Sequence, residues 1–522
     1  MRYDLAFLGS GISCAQTLLQ FIEKLESAPR VAGPLEVAVI EKEGEFWKGI
    51  AYGKRSSVNS LIITTLGEFI HPDEKESFMH WLKESRDLWM DAMTKAGGET
   101  ALQWIEHNKS YMEQDNWDAI YIPRFLYGLY LTGRIQDAIT RAEQKGIARV
   151  HLIHAHATDI TPTAQGAYEI SLEDRDQKKN SIVAGKVVLS IGSGLNRAVP
   201  PPEGSDLFHQ PDYLYINDTY YPSLEDHIAS IETALKNTPE PASRNILILG
   251  SNASSLELLY LIQTRSTLKK QIHKVVVIST SGMLPHRITE NSHPDYLFEH
   301  LEGLKSASGY NAADLFHTIQ KDLDIAFEKG VHIGDMYYQL SDLVVELLKK
   351  LSFEQEKEFY GRFGNRFTKL IRRAGAQYRD AAQTLLNEGQ MELLKGRFLQ
   401  LRQSPVRKQE VLLEYTPAGE SGTVTHPLSF PIVVNCGGFE DLQESSSPLI
   451  SNLVAKKLCR VGKTNRGFDV SAKLEASPNL YIMGPLLGGI FNNEVKYWHV
   501  ENLKRIHDLS KILTRELSMS LA

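Results

Sequence analysis

Tyr3-Asp4-Leu5-Ala6-Phe7-Leu8-Gly9-Ser10-Gly11-Ile12-Ser13-Cys14-Ala15 is the stretch whose reading decides the fold. An apolar run of strand character meets Gly9-Ser10-Gly11, and a helix-like run follows to Leu25. Gly9 permits the tight reversal from strand to helix. Gly11 lets backbone come close to a pyrophosphate, which then sits on the amides of the helix N-terminus, among them those of Ile12 and Ser13. The next apolar run, Leu35 to Ile40, ends at Glu41 with Lys42 beside it. An acid at that strand end accepts hydrogen bonds from the ribose hydroxyls of an adenosine. Cys14 occupies the third glycine position, and Glu41 lies thirty residues after Gly11, where about twenty is usual. The helix and loop between are longer, with Ser27 to Pro34 as the extra loop. The plain alternative is an ordinary strand-to-helix turn with no ligand.

The totals bound the rest. A chain of 522 residues implies two or three domains with ample core. It is 42% hydrophobic and 23% charged, as globular chains are, and its net charge of −7 gives no reason to expect nucleic acid or a bilayer surface as partner. Three widely spaced cysteines (Cys14, Cys436, Cys459) form neither a disulfide framework nor a zinc pattern, and no metal site is expected. No basic segment followed by a long apolar run opens the chain, and no run is long enough to span a membrane. A cytoplasmic location is the expectation; the oligomeric state is open.

After Glu41, Phe46-Trp47-Lys48-Gly49-Ile50-Ala51-Tyr52-Gly53 and Asn59 form a glycine-broken loop placed to fold over a nucleotide. Residues 71 to 145 read as helical, too long for a simple crossover, so an inserted helical subdomain is expected. Within it Pro123 suits a helix start and puts Arg124 in the first turn, where the helix dipole disfavours a cation. A pyrophosphate partner would explain Arg124; a surface arginine is the plainer reading. Residues 148 to 170 read as strands. Lys186 to Ile191 is a buried strand ending at Gly192-Ser193-Gly194, followed by the linker Ala198 to Pro202.

A second strand-turn-helix follows at Asn245-Ile246-Leu247-Ile248-Leu249-Gly250-Ser251-Asn252-Ala253-Ser254-Ser255-Leu256. It leads to the strand Lys274 to Ile278. This is the architecture of a second dinucleotide domain, with Asn252 and Ser255 in the later glycine positions; Asn tolerates left-handed backbone. A degenerate domain kept as scaffold is the rival reading. Residues 295 to 400 read as helical again, with helices expected at Asp314 to Ala326, Tyr337 to Leu351, Glu354 to Ala374 and Tyr378 to Leu394. The segment Arg362 to Arg373 is locally basic: a solvated face or an anion site. Strands return at Val411 to Tyr415, at Phe430 to Asn435 before Cys436-Gly437-Gly438, and at Asn479 to Met483 before the turn Gly484 to Gly489 and a helix from Val495 to Leu513.

In this order, the Gly-x-Gly turn, Gly49-Ile50-Ala51-Tyr52-Gly53 with Asn59, Pro123-Arg124-Phe125-Leu126-Tyr127-Gly128, Val433 to Gly438 and Leu480 to Pro485 resemble the FAD-NAD(P)-binding protein family, including its YdhS-like bacterial members. That family is similar to flavin-dependent N-hydroxylating and Baeyer–Villiger monooxygenases. The resemblance implies an α/β fold of two Rossmann-like dinucleotide-binding domains, of the three-layer ββα type, with helical insertions. It places an FAD-binding domain at residues 1–200 plus 401–522, with an insertion at about 71–145. An NAD(P)-binding-like domain would occupy 241–400, with an insertion at about 295–400. It implies FAD held by Gly9, Gly11, Ile12, Ser13, Glu41, Lys42, Trp47, Gly49, Asn59, Arg124, Gly192, Gly484 and Gly488, and NAD(P)H held by Gly250, Asn252 and Ser254.

The expected activity is that of an FAD-dependent oxidoreductase: an NAD(P)H-dependent monooxygenase acting on a small molecule, with N-hydroxylation-like chemistry. A flavin dehydrogenase or oxidase that does not use nicotinamide, and a non-catalytic flavin-binding scaffold, are the alternatives. No catalytic base is assigned. His71, His286, His293 and His499 fall near the proposed loops, but a lone histidine is more often structural.

Overall fold

The computed structural model describes residues 2–27, 33–202, 207, 213–289, 296–307 and 309–521. Two sheets organise it. The first has the order Glu475–Ser477, Leu480–Ile482, Lys179–Leu189, Arg2–Leu8, Leu35–Glu41, Ala148–His154. The last five of these strands run parallel; Leu8 pairs with Ile40 on one side and Leu189 on the other. A strand covered on both faces must be apolar throughout, and Leu5, Ala6, Phe7 and Leu8 are fully buried. Each large side chain so buried contributes about 1.5–3 kcal/mol. The long strand Lys179–Leu189 also carries an antiparallel meander with Tyr168–Glu173 and His156–Pro162. The helix Ile12–Glu26 packs against Leu503–Leu521 and Arg124–Gln144, with Thr17 Oγ1 and Ser510 Oγ 3.1 Å apart between the first two. Helices, parallel sheet and meander are the expected layers.

The second sheet has the order Val424–Phe430, Val411–Pro417, Met391–Gln403, Lys274–Ser279, Asn245–Leu249, Ile432–Asn435, Leu214–Ile216. Its last five strands are parallel and its first three antiparallel. Its strands therefore come from residues 214 to 435. The expected division at residue 400 shifts accordingly: Val411–Pro417, Val424–Phe430 and Ile432–Asn435 join the second sheet, and the chain re-enters the first at Glu475. The expected helix Tyr378 to Leu394 is the helix Ala376–Asn387 followed by the strand Met391–Gln403, split at Gly389 with φ +70°.

Both expected helical insertions are present. The first holds Pro72–Glu84, Arg86–Glu113 and Arg124–Gln144. The second holds Ala312–Glu328, Tyr337–Leu348 and Gly364–Ile371 around its own core of Phe316, Phe359, Phe363 and Phe367. A wider core takes in residues of both sheets and of the helices packed on them. At the C-terminus a short hairpin, Ile490–Phe491 with Lys496–Tyr497, separates the turn after Ile482 from the final helix, which starts at Leu503 instead of Val495. No described helix is long and apolar enough to cross a membrane.

Candidate functional site

The first turn is built around a contact that only glycine allows. Gly9 has φ +89°, and a Cβ there would lie 2.6 Å from the Ser190 carbonyl oxygen. Its amide donates to the Ile40 carbonyl at 2.9 Å, so the turn is pinned between both neighbouring strands. Gly11 is the N-cap of the helix and supplies no side-chain cap. The first helical amides, Ile12 and Ser13, thus start a helix without a side-chain acceptor at its cap, which is the condition an anion meets.

Four segments converge on that helix end. Glu41 closes the second strand, and its Oε2 accepts from Ser10 N at 2.9 Å and Ser10 Oγ at 2.7 Å. The loop after it returns: Trp47 N donates to Ser10 O at 2.8 Å, and Gly49, with φ +60°, brings its backbone against Gly11. The Trp47 side chain is buried, whereas Lys42 is exposed beside Glu43 at 3.7 Å. The turn after Ile482 comes from the other end of the chain. Gly484, with φ +90°, sits on the Ser13 side chain, and a Cβ there would collide with Ser13 Oγ. Gly488 carries this turn on to Gly467, whose Cβ would strike the Gly488 carbonyl. Gly192, with φ +86°, follows the strand beside the first turn. Cys14 in the third glycine position is fully buried, and burial, then Glu41, raises its thiol pKa well above the ordinary value.

The second turn repeats the first. Gly250 has φ +105°, and a Cβ there would collide with the Cys436 carbonyl; its amide donates to the Ile278 carbonyl at 2.8 Å. Ser190 and Cys436 each follow the strand beside the turn, and Ile40 and Ile278 each lie on the strand after it. Asn252 takes the place of Gly11 as N-cap, in extended backbone and again without a side-chain cap bond. The colliding carbonyl lies at the first glycine position, and the turn keeps its backbone shape with Asn252 and Ser255 at the later ones. Ser251 Oγ donates to the Met283 carbonyl at 2.7 Å, and Ser254 hydrogen-bonds Tyr220.

Arg124 stands elsewhere than expected. Its guanidinium Nη2 lies 2.8 Å from Glu257 Oε2, on the helix that opens at the second turn. Ser60 Oγ and Tyr220 OH each donate to the same oxygen at 3.0 Å. Burial works against the Arg124 charge, but Glu257 opposes it, and the net effect is a pKa above the ordinary value. Arg124 therefore ties the unit of the first turn to that of the second through Glu257. Asn59 is buried and structural in part: its Nδ2 donates to Gly97 O at 3.0 Å, where the long helix Arg86–Glu113 breaks at Gly98. The motif glycines explain one another, since Gly128 has no room for a Cβ against the Tyr52 carbonyl.

Of the histidines, His71 stacks on His507 at 3.9 Å, and His286 Nε2 meets the Leu370 carbonyl at 2.9 Å. His293 lies outside the described residues. Burial, then Arg505 and Arg372, lowers the His499 pKa to about 3.

Glu257, Tyr220 and Ser10 were not singled out from sequence. Glu257 had a signal: it is the one charged residue in the apolar run Leu256 to Ile262, and a lone acid there needs a partner.

Residues 6–194 match the FAD-NAD(P)-binding family. Uncharacterized proteins of Mycobacterium tuberculosis and Mycobacterium bovis are each 36% identical over 519 residues, covering 99% of this chain and 96% of theirs. The chain belongs to the FAD-NAD(P)-binding family. Its two glycine turns and the helix ends without side-chain caps fit the two dinucleotides of that family. The fold is shared more widely. An ornithine N-hydroxylase of Kutzneria sp. 744 superposes with a TM-score of 0.54 at 11% identity over 100% of both chains. A cadaverine monooxygenase of Erwinia amylovora, bound to FAD, gives 0.58 at 11% identity over 99% of this chain and 95% of its own. The L-lysine 6-monooxygenase of Pseudomonas syringae gives 0.51 at 12% identity over 100% of both.

Proposed function

We propose that this protein is an FAD-dependent oxidoreductase, an NAD(P)H-dependent monooxygenase that adds oxygen to a small molecule by N-hydroxylation-like chemistry. One observation carries the reading: the same glycine-against-carbonyl turn occurs twice, at Gly9 and Gly250, on two sheets joined by one core. The fold is that of enzymes named for ornithine, cadaverine and lysine.

In this reading the amides of Ile12 and Ser13 receive the FAD diphosphate, and Glu41, released from Ser10, accepts from the ribose hydroxyls. The loop of Trp47, Gly49 and Asn59 covers the cofactor, Gly192 leaves room beside it, and the turn Gly484 to Gly488 bounds its far end. Lys42 lies at the open rim. Gly250, Asn252 and Ser254 receive the nicotinamide dinucleotide. Bound FAD supplies hydride acceptance and oxygen activation. The chain supplies orientation and exclusion of water, the first helical insertion being closed by the mutually packed, buried Trp89, Trp104 and Trp117. A cytoplasmic location is part of the proposal and agrees with three free cysteines among the described residues.

The test is a visible spectrum of the purified protein, extraction and identification of the cofactor, then anaerobic mixing with NADPH and with NADH. Yellow protein bleached by either nucleotide supports the proposal. Colourless protein after reconstitution with FAD, or flavin that neither nucleotide bleaches, refutes it.

A further inference from the structure

The locally basic run from Arg362 to Arg373 disperses its charge in three dimensions. Arg362 pairs with Glu358 at 3.7 Å, and Arg366 lies 4.5 Å over the Phe316 ring. Arg373 stacks 3.9 Å over Tyr337 and pairs with Glu68 at 3.1 Å. Cations and an uncovered ring meet elsewhere, at Tyr221.

Tyr220 and Tyr221 stand in the segment that joins Leu214–Ile216, the edge strand of the second sheet, to the helix Leu224–Asn237. The two side chains part there. Tyr220 turns inward, and its hydroxyl donates to Glu257 Oε2 at 3.0 Å. Tyr221 turns outward and is 53% exposed. Its ring lies against the first unit: Lys42 Nζ is 5.6 Å from the ring centroid, and the Arg55 guanidinium is 5.4 Å from it.

The backbone that carries this ring is fixed. Arg55 Nε donates to the Tyr220 carbonyl at 2.6 Å, and His227 Nε2 donates to the Tyr221 carbonyl at 2.7 Å. The helix that follows is tied to the same loop of the first unit, since Ser57 Oγ donates to Glu225 Oε1 at 2.5 Å. Arg265 holds the other oxygen of Glu225 at 2.6 Å. The exposure of Tyr221 therefore does not come from a loose loop. Cation–ring contacts at a solvated surface are weak, so Lys42 and Arg55 orient the ring more than they bury it.

The first turn gives this place its meaning. Lys42 directly follows Glu41, which closes the strand Leu35–Glu41 and accepts from Ser10. Arg55 lies in the short turn Lys54–Ser56, just after the helical turn Gly49–Tyr52 whose first residue leans on Gly11. The strand end and the covering loop, which flank the space assigned to the adenosine half of FAD, thus both reach Tyr221.

We propose that Tyr221, supplied by the second unit, is the stacking platform for the adenine ring of the FAD held by the first. The assignment rests on the function proposed above. Adenine is flat and uncharged near neutrality, so a fixed aromatic ring recognises it where charge alone would not. Lys42 and Arg55 beside the platform add cation–π attraction to the stacked base. The second unit then takes part in holding the cofactor of the first.

The test is titration of the full-length protein, freed of flavin, with FAD and with FMN, followed by flavin fluorescence, in wild type, Tyr221→Ala and Tyr221→Trp. Tyr221→Ala is expected to weaken FAD binding about tenfold or more, and Tyr221→Trp to stay within about threefold of wild type. FMN has no adenine, so its binding should be the same in all three proteins. FAD affinity unchanged in Tyr221→Ala, a loss in Tyr221→Trp as large as in Tyr221→Ala, or an equal loss for FMN overturns the platform; the last marks a ring that only staples the two units. Wild type that takes up no FAD refutes the proposed function and the platform with it, whereas FAD uptake that Tyr221→Ala leaves unchanged overturns the platform alone.

Discussion

Arg124 and Glu257 meet at 2.8 Å between the two dinucleotide units, Arg124 at the start of the helix Arg124–Gln144 and Glu257 on the helix that opens at the second turn. The carboxylate is almost fully buried, with 1% side-chain exposure, and also takes Ser60 and Tyr220. Tyr378 OH adds a bond to the same region, accepting from Leu61 N at 2.6 Å. The motif containing Arg124 is therefore a tie between the units.

Removing one partner leaves a buried charge alone. Arg124→Met or Glu257→Leu is expected to destabilise the protein by about 3–5 kcal/mol, and the double variant by less than the sum. Chemical denaturation across the double-mutant cycle checks this. Additive losses would show that the pair is not coupled.

The two turns are expected to fail separately. Gly9→Ala puts a Cβ into the Ser190 carbonyl at a φ costing about 1–3 kcal/mol, and the purified protein should lose its flavin. Gly250→Ala makes the matching collision with Cys436 and should keep flavin while losing nicotinamide binding. Flavin absorbance and NADPH titration on the two variants read this out. Equal flavin loss in both would contradict the division of labour.

His499 makes stability depend on acid. Its folded pKa is near 3 against an ordinary 6.5, so between those values the unfolded chain binds a proton that the native protein refuses. The stability contributed is fully present above about pH 6.5 and is lost as pH falls toward 3, by up to about 1.4 kcal/mol per pH unit. His499→Gln should flatten that slope between neutrality and pH 5 in a series of thermal melts. An unchanged slope would place the acid sensitivity elsewhere.

The three thiols should be inert in the native protein. Burial raises Cys14, Cys436 and Cys459, the last to about 12, so little thiolate exists near neutrality. A water-soluble thiol reagent is expected to react more than about tenfold slower than with free cysteine, and with all three thiols after denaturation. Fast labelling of one thiol in the native state would reveal an opening that the fold does not show.

Legibility differed by the range of the interaction. The turns at Gly9 and Gly250 could be read because strand, reversal and helix are adjacent in sequence, and the apolar runs of buried parallel strands leave a continuous signature. The division at residue 400 could not. A strand such as Val411–Pro417 has the same composition in either sheet, and only pairing with Met391–Gln403 assigns it. The helix expected to Leu394 gave way to a strand beyond Gly389 because pairing with Lys274–Ser279 outweighs local preference.

By itself the sequence determined two nucleotide-type turns, their order and the helical insertions, since each follows from short-range backbone geometry and periodicity. Tertiary structure alone decided why the glycines are needed, because the carbonyls of Ser190 and Cys436 come from strands far along the chain. It also decided that Arg124 answers Glu257. A charge announces its presence in a sequence, but its partner is set by chain crossings that no local pattern encodes.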